Sequence, residues 1–460
     1  MKNPVFTLAI AFFVIFANWR SLGAEESESP AEVSFIRDVA PILVGKCQSC
    51  HGAKTAESNY RLDTFEKLMQ FGDFEMAPVT AGNLDDSEFH RLITAEDEEE
   101  RMPNNGDQLT GVEIQLIDNW ISQGAKFDGQ DPAALIKGQL PRVAHPSAPA
   151  TYSTALPLAA LTFSADGGQL LVGGYHEILV WDPVAGTLLD RVGDIPQRVY
   201  GLEFSPDKSL LAVAGGSPGV SGEVQLIPWT EAPKPKAKAQ ILATHDDVFF
   251  DVSFRPDGLQ LAAACSDGSV RVFDVATGEQ TRKIDNHADW VTDLCYSADG
   301  KLLATASRDK TAKVFSAETG ELIATYSGSN KPVEAVAISP DAKQVISTSG
   351  NVVRIWNVED SKVVGDLSGF GAEVFALLTD AESVIAASAD KSVRRFTLAD
   401  RKQSLAITDH PHSVLSLAWH VASKRLSTGC FDGTVSLWNL EDGALLKRFV
   451  AIPPKATPAN

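Results

Sequence analysis

Seven aromatic residues recur at nearly even intervals along the last two thirds of this 460-residue chain. The series is Trp181, Trp229, Phe273, Phe315, Trp356, Phe396 and Trp438, with spacings of 48, 44, 42, 41, 40 and 42 residues. Each aromatic closes a short apolar run, which is preceded in most units by a small-residue run and a turn of the Ser-Asp-Gly type. An interval of this length accommodates four short strands. Seven such units can close a ring in which every sheet packs between two neighbours.

The turns upstream of these aromatics carry a second recurrent pattern. Phe204-Ser-Pro-Asp and Ile338-Ser-Pro-Asp are examples, and Phe163-Ser-Ala-Asp is a variant. Together with the interval, this pattern resembles the WD-repeat family. The resemblance implies an all-β seven-bladed propeller over residues 153–452. Because propellers of this type are mostly interaction platforms, it also implies that a protein partner docks on it.

Histidines of the repeat region invite a metal hypothesis, because imidazole is a common metal ligand. His245 and His287 are 42 residues apart, each just before an innermost strand. In WD repeats that position resembles a structural histidine, linked through Ser/Thr and Asp to the strand-end Trp. The resemblance implies a chain of His287, Ser307 and Asp309 in the fourth unit. We therefore predict structural histidines rather than metal ligands for the set, which is His176, His245, His287, His410, His412 and His420.

The front part of the chain contains one dense chemical motif, Cys47-Gln48-Ser49-Cys50-His51. Cys-x-x-Cys-His is the attachment signature of c-type haem, in which both thiols form thioethers and the histidine binds the iron. The alternatives are a redox-active cysteine pair and half of a zinc site. Both lose weight because the histidine follows directly and no second cysteine pair lies nearby. The motif predicts one haem c, covalently attached at Cys47 and Cys50, with His51 as an axial ligand.

The iron of such a haem has a second axial position, for which this region offers methionines and one further imidazole, His90. Met102 begins Met-Pro-Asn-Asn-Gly, a loop with no helical face on which a methionine could pack. Met69 is explained as core packing in a helix predicted over residues 63–70. Met76 stays open as the alternative ligand. We predict Met102, and His/Met ligation raises the reduction potential relative to His/His.

Two predicted helices frame this motif. Residues 33–43 present an apolar side just before Cys47, and Thr110-Gly-Val-Glu113 is a capping box. The second helix then carries an apolar stripe of Val112, Leu116, Ile117, Trp120 and Ile121. With Lys46-Cys-Gln-Ser-Cys-His-Gly52 and Glu100-Arg-Met-Pro, this region resembles the planctomycete-type cytochrome c domain. The resemblance implies an all-α class I c-type cytochrome domain over residues 25–130, with proximal His51 and distal Met102.

The remaining segments are assigned from their composition. Residues 1–24 have the pattern of a secretory signal peptide, and an uncleaved membrane anchor is the alternative. Residues 131–152 are rich in Pro and Ala and are predicted as an interdomain linker with a solvent-facing His145. Residues 453–460 are predicted as a disordered tail. Export to the periplasm or its equivalent agrees with the haem motif, since c-type cytochromes are assembled outside the cytoplasmic membrane.

The net charge of −20 argues against nucleic acid or an anionic membrane surface as the main partner. Residues 25–128 hold 22 acidic and 8 basic residues. We therefore expect a redox partner with a basic or neutral surface, although solubility explains the acidic excess equally well. The cysteines outside the motif, Cys265, Cys295 and Cys430, lie in apolar strand-like runs and are predicted to be buried free thiols.

These expectations combine into an exported multidomain protein. Its cytochrome domain transfers electrons, its propeller docks a partner, and the chain itself is more readily an electron carrier than an enzyme. One alternative is a propeller-borne oxidoreductase, arranged like nitrite reductases that carry a second haem. The other is a haem-based sensor or scaffold. The sequence contains no nucleophile elbow, phosphate loop or paired-carboxylate pattern that would indicate other catalysis.

Overall fold

The computed structural model describes residues 32–48, 50–52, 56–104, 108–140, 144–229 and 239–452. The signal peptide predicted at residues 1–24 and the tail predicted at residues 453–460 lie outside the described residues. The chain divides into two compact units, Met1–Val143 and Ala144–Asn460. Within the described ranges, no helix has the length and apolar character needed to cross a membrane.

The first unit is built from short helices around one apolar core. A π-helical turn, Phe35–Val39, leads directly into the first α-helix. The α-helices are α1 (Ala40–Lys46), α2 (Phe65–Leu68), α3 (Glu88–Ile93), α4 (Gly111–Ser122) and α5 (Ile136–Gln139). In the core, the ring of Phe35 lies 5.1 Å from that of Trp120, joining the π-helical turn to α4. The helix predicted over residues 33–43 is therefore present in two consecutive parts, whereas the helix predicted over residues 63–70 is reduced to the four residues of α2.

The capping box at the start of α4 is confirmed. The Thr110 hydroxyl accepts a hydrogen bond from the Glu113 amide at 3.3 Å, and the Glu113 carboxylate accepts one from the Thr110 amide at 2.7 Å. Ile117, Trp120 and Ile121 are buried as the apolar stripe predicts. The stripe is wrong at Val112, which is 70% exposed, because the first turn of α4 extends beyond the core that its later turns cover.

The beginning of the segment predicted as a linker packs into the first unit. Ile136 in α5 is fully buried, and the Gln139 side chain accepts hydrogen bonds from the amides of Gln130 and Asp131 at 2.9 and 3.1 Å. The composition of this segment is that of a linker. Ile136 nevertheless packs into the apolar core of the first unit, and Gln139 holds the preceding turn by hydrogen bonds. Residues 131–140 therefore belong structurally to the first unit.

The second unit consists of seven antiparallel four-stranded sheets, which confirms the predicted seven-bladed propeller. Each blade uses four consecutive strands of the chain. Blades 1 to 3 contain β1 (Leu161–Phe163), β2 (Leu170–Gly173), β3 (Ile178–Asp182), β4 (Thr187–Val192), β5 (Arg198–Phe204), β6 (Leu210–Ser217), β7 (Ser221–Pro228), β8 (Gln240–His245), β9 (Phe249–Phe254), β10 (Gln260–Cys265), β11 (Ser269–Asp274) and β12 (Gln280–Asp285). Blades 4 to 7 contain β13 (Val291–Tyr296), β14 (Leu302–Ser307), β15 (Ala312–Ser316), β16 (Leu322–Tyr326), β17 (Val336–Ile338), β18 (Gln344–Ser349), β19 (Val352–Asn357), β20 (Val363–Leu367), β21 (Val374–Thr379), β22 (Ser383–Ser388), β23 (Val393–Thr397), β24 (Gln403–Ile407), β25 (Val414–His420), β26 (Arg425–Cys430), β27 (Thr434–Asn439) and β28 (Leu445–Val450).

The periodic aromatics lie where the third strand of each blade ends. Six are within that strand, and Trp229 directly follows β7. The indole N–H of Trp356 donates to the Ser347 hydroxyl at 3.1 Å, and that of Trp438 donates to the Thr428 hydroxyl at the same distance. These two indoles thus bury their rings while the one polar atom of each finds a partner on the neighbouring strand, whereas the buried indole N–H groups of Trp181 and Trp229 have no partner among the described residues.

The ring closes where blade 7 meets the residues that precede β1. The Leu158 amide donates to the Cys430 carbonyl at 3.2 Å, and the Leu158 carbonyl accepts from the Ser416 hydroxyl at 2.7 Å. Leu161 and Val172 of blade 1 share an apolar cluster with side chains of blade 7. Since each blade is built from one continuous stretch, closure depends on this packing and not on a strand exchanged between the chain ends.

The later part of the predicted linker lies against blades 1 and 2. The Tyr152 hydroxyl donates to the buried Glu177 carboxylate at 2.5 Å, and Arg191 holds the same carboxylate from the other side. The expectation that His145 is solvent-facing without partners is wrong. Its imidazole is only 20% exposed and its Nε2 lies 3.2 Å from the Glu223 carboxylate, because neighbouring groups fix the backbone of this segment on the propeller.

Candidate functional site

One cavity in the first unit brings together the four predicted haem residues. It has a volume of about 990 Å³, including its open mouth, and Cys47, Cys50, His51 and Met102 all line it. Most of the remaining lining is apolar or aromatic. It includes Tyr60, Leu62, Phe74, Pro78, Phe89, Leu92, Ile93 and Leu109. This mixture of apolar walls with a few polar groups is typical of a cofactor pocket.

The backbone around the motif is a tight turn that follows α1. The His51 amide donates to the Cys47 carbonyl at 3.0 Å, and the Leu62 amide donates to the His51 carbonyl at 2.9 Å. A Cβ atom on Gly52 would lie 2.5 Å from the Gln48 carbonyl oxygen. The turn therefore requires glycine directly after the histidine, which explains why the motif is followed by Gly52.

The His51 imidazole is oriented by the backbone. Its Nδ1 lies 3.3 Å from the Tyr60 carbonyl oxygen. Since a carbonyl can only accept, the proton of the neutral ring is held on Nδ1 and the lone pair is left on Nε2. The ring of Tyr60 contacts that of His51 edge-on at 5.7 Å, and the Tyr60 hydroxyl is tied to the Leu68 carbonyl at 2.8 Å. A metal-binding histidine needs this kind of support behind it.

The candidate sixth ligands differ in their surroundings. Met102 lines the cavity, and its amide donates to the Leu92 carbonyl at 3.0 Å at the end of α3. Met76 is 36% exposed and is not part of the cavity wall. Met69 packs against the apolar core. The Nδ1 of His90 is bound to the Asp118 carboxylate at 2.7 Å, so this imidazole has another partner.

The two alternative roles of the cysteine pair find little support in the geometry. Burial, with smaller contributions from Cys50 and Glu113, raises the pKa of the Cys47 thiol to about 12. A redox-active pair needs the opposite shift, because the thiolate is the reacting form. Among the described residues, only His245, Cys265 and Asp267 bring three ligand atoms of the Cys, His, Asp or Glu type within 4.8 Å of one another. Cys47, Cys50 and His51 do not form such a group.

A covalently bound haem fits the residues that are present. Two thiols for thioether bonds, an imidazole with a backbone-bound Nδ1 and a thioether line the same apolar cavity. The cavity lining also includes the exposed residues Glu57 and Asn104 and the half-buried Lys46. The donor set matches the nitrogen and sulfur ligands that haem iron takes in cytochromes c.

The propeller histidines have structural partners. His287 Nδ1 lies 2.8 Å from the Asp309 carboxylate and its Nε2 lies 2.7 Å from the Thr305 hydroxyl. The chain predicted through Ser307 is therefore wrong in its middle member, because the Ser307 hydroxyl donates to the Asp289 carbonyl instead. His176 and His410 each place Nδ1 within 3.2 Å of a backbone carbonyl.

The group of His245, Cys265 and Asp267 already contains a cation. The Arg271 guanidinium donates to the Cys265 sulfur at 2.9 Å and to the Asp267 carboxylate at 2.8 Å. Lys283 adds a second positive charge 3.6 Å from the same carboxylate. A metal ion at this position would be repelled by both side chains. Cys265 and Cys430 are buried, as predicted for free thiols, and Cys295 is half-buried.

The cavity is also lined by residues to which no role could be assigned from the sequence. Tyr60, Phe74, Phe89 and Leu92 form much of the cavity wall. Phe89 and Leu92 are three residues apart on α3, which is the one periodic signal that could have indicated a shared face. Tyr60 and Phe74 lie in irregular segments, where side-chain direction follows no period.

Comparisons with known proteins match the two units separately. Residues 47–106 match the family model "Planctomycete cytochrome C". Residues 248–451 match the family model "IFT122 first beta-propeller". The first match includes Cys47, Cys50, His51 and Met102, and the second includes all the strands of blades 3 to 7.

The relatives found among curated proteins include several WD-repeat proteins. Periodic tryptophan protein 2 of Saccharomyces cerevisiae is 34% identical over 203 residues, which is 43% of this chain and 22% of the relative. WD repeat-containing protein VIP3 of Arabidopsis thaliana is 32% identical over 105 residues, covering 20% of this chain and 30% of the relative. WD repeat-containing protein 26 homolog of Arabidopsis thaliana is 30% identical over 210 residues, covering 45% and 29%. The chain thus spans less than a third of each relative, and the likeness supports a propeller of the WD-repeat type.

Proposed function

We propose that this protein is an exported electron-transfer cytochrome with one covalent haem c and a propeller that serves as a protein-interaction platform. The observation that carries the proposal is the convergence of Cys47, Cys50, His51 and Met102 on one apolar cavity. Cys47 and Cys50 would hold the haem through thioethers, and His51 and Met102 would be its axial ligands. Similarity of residues 47–106 to planctomycete cytochrome c supports the same assignment.

The chain's own residues prepare the site for electron transfer. A bound haem supplies a one-electron Fe(III)/Fe(II) couple. The Tyr60 carbonyl fixes the tautomer of His51, and the apolar wall excludes water from the site. A thioether opposite the imidazole favours the reduced state more than a second imidazole would, so this ligand set corresponds to a comparatively high potential.

The partner proposals follow from charge and from the fold. The excess of acidic over basic residues in the front part of the chain favours a redox partner with a basic or neutral surface. The signal-like residues 1–24 favour export to the periplasm or its equivalent, with membrane anchoring as the alternative. Fractionation of cells that express the full chain tests both, since an uncleaved anchor would keep the protein with the membranes.

The experiment on the haem itself uses the full chain produced with its export signal in a host that matures c-type cytochromes. We expect haem that stays attached after denaturation in the wild type and is absent from Cys47→Ala/Cys50→Ala. Met102→Ala should lose the optical band of a methionine–iron bond and show a lower reduction potential. Met76→Ala is the matched control and should keep both. A wild-type spectrum and potential in Met102→Ala would contradict the axial assignment.

Fewer observations support the alternative that the propeller is an enzyme. A second haem or metal would need free ligands in the propeller. Of the described histidines there, His176, His287 and His410 are engaged by backbone or side-chain oxygen atoms. A second chromophore in the purified protein would reverse this preference.

A further inference from the structure

The propeller contains a channel lined by residues of the innermost strands of six blades and, in blade 5, by Glu334, which precedes β17. Its volume is about 670 Å³. Among the described residues that line it, the acidic ones are Asp251, Asp293 and Glu334, and none is basic. All three residues are half-buried and form part of the channel wall. The channel is therefore an acidic cavity within a protein-interaction fold.

Aromatic side chains from two consecutive blades line this channel, and one from the next blade packs against them. We call Tyr200, Phe250 and Trp290 the aromatic rim. The ring centroids of Tyr200 and Phe250 are 5.5 Å apart, and those of Phe250 and Trp290 are 5.1 Å apart. Tyr200 and Phe250 are themselves part of the channel wall. Tyr200 and Phe250 are half-buried and present aromatic surface to the channel, whereas the Trp290 ring is covered on one face by Arg308.

The positive charges near the rim are already paired. Arg308 lies over the Trp290 ring at 3.9 Å and binds the Asp289 carboxylate at 3.0 Å. Lys331 lies 3.1 Å from the Glu373 carboxylate. Within the described chain, no Lys, Arg or His nitrogen lies within 4 Å of a carboxylate oxygen of Asp251, Asp293 or Glu334. The three carboxyl groups of the channel therefore have no cation in contact with them, and those of Asp251 and Asp293 interact with each other.

Two of these carboxylates make hydrogen bonds between blades, but the ring does not use an acidic residue at this position in every blade. The Asp251 and Asp293 carboxylates accept from the amides of Leu294 and Val336 in the next blade, at 3.3 and 2.7 Å. The corresponding positions in other blades are uncharged, for example Gly201, Ala376 and Ser416, and these blades pack in the same ring. Burial raises the pKa of both aspartates, and the neighbouring charge of Asp293 raises that of Asp251 further. They cost stability in the ionised form, which is typical of groups retained for binding.

We propose that the axial channel and its aromatic rim bind a cationic side chain, arginine in preference to lysine, presented by an exposed segment of a protein partner. A guanidinium is planar, so it can stack on the rings of Tyr200 and Phe250 while its N–H groups reach the two aspartates. Such a cation supplies the positive charge that no residue of the channel wall provides. This inference rests on the proposed role of the propeller as an interaction platform and names the chemistry of its partner.

The test uses the haem-loaded full chain and a fluorescein-labelled pentapeptide of Gly and Ser around one central arginine. Parallel peptides carry lysine, glutamate or citrulline, the neutral isostere of arginine, at the same place. Fluorescence anisotropy at low salt should show binding of the arginine peptide about tenfold tighter than that of the citrulline peptide. Equal binding of these two peptides, or no saturable binding of the arginine peptide, would overturn the proposal.

Variants locate the binding on the propeller. Asp251→Asn/Asp293→Asn keeps an oxygen acceptor for each backbone N–H and should lose about tenfold in affinity. Trp290→Ala should weaken binding through loss of the rim, and Phe431→Ala, which removes an exposed aromatic of blade 7, is the matched control. Should the double aspartate variant unfold, Glu334→Gln replaces it. Wild-type affinity in the aspartate variant, or in Glu334→Gln when it stands in, would place the site elsewhere and overturn the proposal.

The same samples separate this inference from the proposed function. The haem spectrum reports the cytochrome assignment and does not depend on the channel. Loss of selectivity for arginine with an intact haem spectrum counts against the channel alone. Selective binding by a chain that attaches no haem counts against the cytochrome role and leaves the channel in place.

Discussion

Carboxylates on the inner strands of the propeller differ in the environment that each side chain enters. Glu203 on β5 accepts from the Phe254 amide of the next blade at 3.0 Å. Burial raises the pKa of Glu203 to about 7. Turn carboxylates such as Asp299 show the opposite shift, because the Ser297 hydroxyl and the Lys301 amide bind the ionised form. Glu203 therefore stabilises the fold at low pH, where it is protonated, whereas Asp299 stabilises it at higher pH, where it is ionised.

Replacing Glu203 by glutamine should make the protein less sensitive to alkaline pH. In the unfolded chain this carboxyl titrates near its ordinary value of 4.5. The stability linked to its protonated folded form is complete below that pH and is lost as the pH rises through about 7. Glutamine keeps an acceptor for the Phe254 amide and cannot ionise. We expect the free energy of unfolding of Glu203→Gln, relative to wild type, to rise by about 2 kcal/mol between about pH 5 and about pH 8.

Urea denaturation at the two pH values measures this difference. Asp299→Asn is the control, because the carboxyl it removes has a lowered pKa and is already ionised throughout this range. Its effect should be a destabilisation that does not change between the two pH values. Parallel pH profiles of Glu203→Gln and the wild type would contradict the role assigned to the burial of Glu203.

The hydrogen-bond partner of His287 could not be predicted correctly from the sequence. Ser307 was predicted as the partner of His287, but Thr305 makes the contact. Both residues are on β14, two positions apart, so their side chains leave the same face of the strand. The two residues differ only in how far each hydroxyl lies from the His287 imidazole. A resemblance between repeats gives the residue type at a position, whereas a difference of two residues along a strand is decided by the three-dimensional packing.

Elements were predictable where a local rule fixes them. The seven repeats predict seven sheets because the interval between the aromatics leaves room for four strands and their turns. The capping box predicts the start of α4 because both of its hydrogen bonds are local. The length of α2 and the packing of α5 were not predictable, since they depend on contacts with residues distant in the sequence. Tyr60 and Phe74 in the cavity wall escaped prediction for the same reason.

The start of α4 offers a test at the level of one element. Thr110→Ala removes the hydroxyl that accepts from the Glu113 amide, and a lost N-cap costs about 1 kcal/mol. We expect faster hydrogen exchange in the first turn of α4, with little change in the propeller. Thr110→Ser keeps the hydroxyl and is the matched control. Mass spectrometry of peptides that cover Thr110 and the first turns of α4 reads the effect, and equal exchange in the two variants would argue that the cap contributes nothing.

At the scale of the whole molecule, the propeller is a ring with one seam. Consecutive blades are joined by short segments of chain. Blade 7 and the residues before β1, in contrast, lie at opposite ends of the propeller sequence. The contact between Ser416 and Leu158 joins residues 258 positions apart. Closing so long a loop costs conformational entropy, which the seam must offset by packing and hydrogen bonds. The seam is therefore the place where we expect the ring to open first.

Leu158→Ala tests this expectation. Leu158 is 1% exposed, so its truncation should lower the free energy of unfolding by about 2–5 kcal/mol. Leu303→Ala is the matched control, because Leu303 is equally buried but lies among the side chains of blades 3 and 4. In native-state hydrogen exchange, the Leu158 variant should speed exchange in blades 1 and 7 and leave blades 3 to 5 close to wild type. The control should instead affect blades 3 and 4. Uniform acceleration over all seven blades in Leu158→Ala would mean that the ring unfolds as one unit, because a seam that opens first must leave the opposite side of the ring protected.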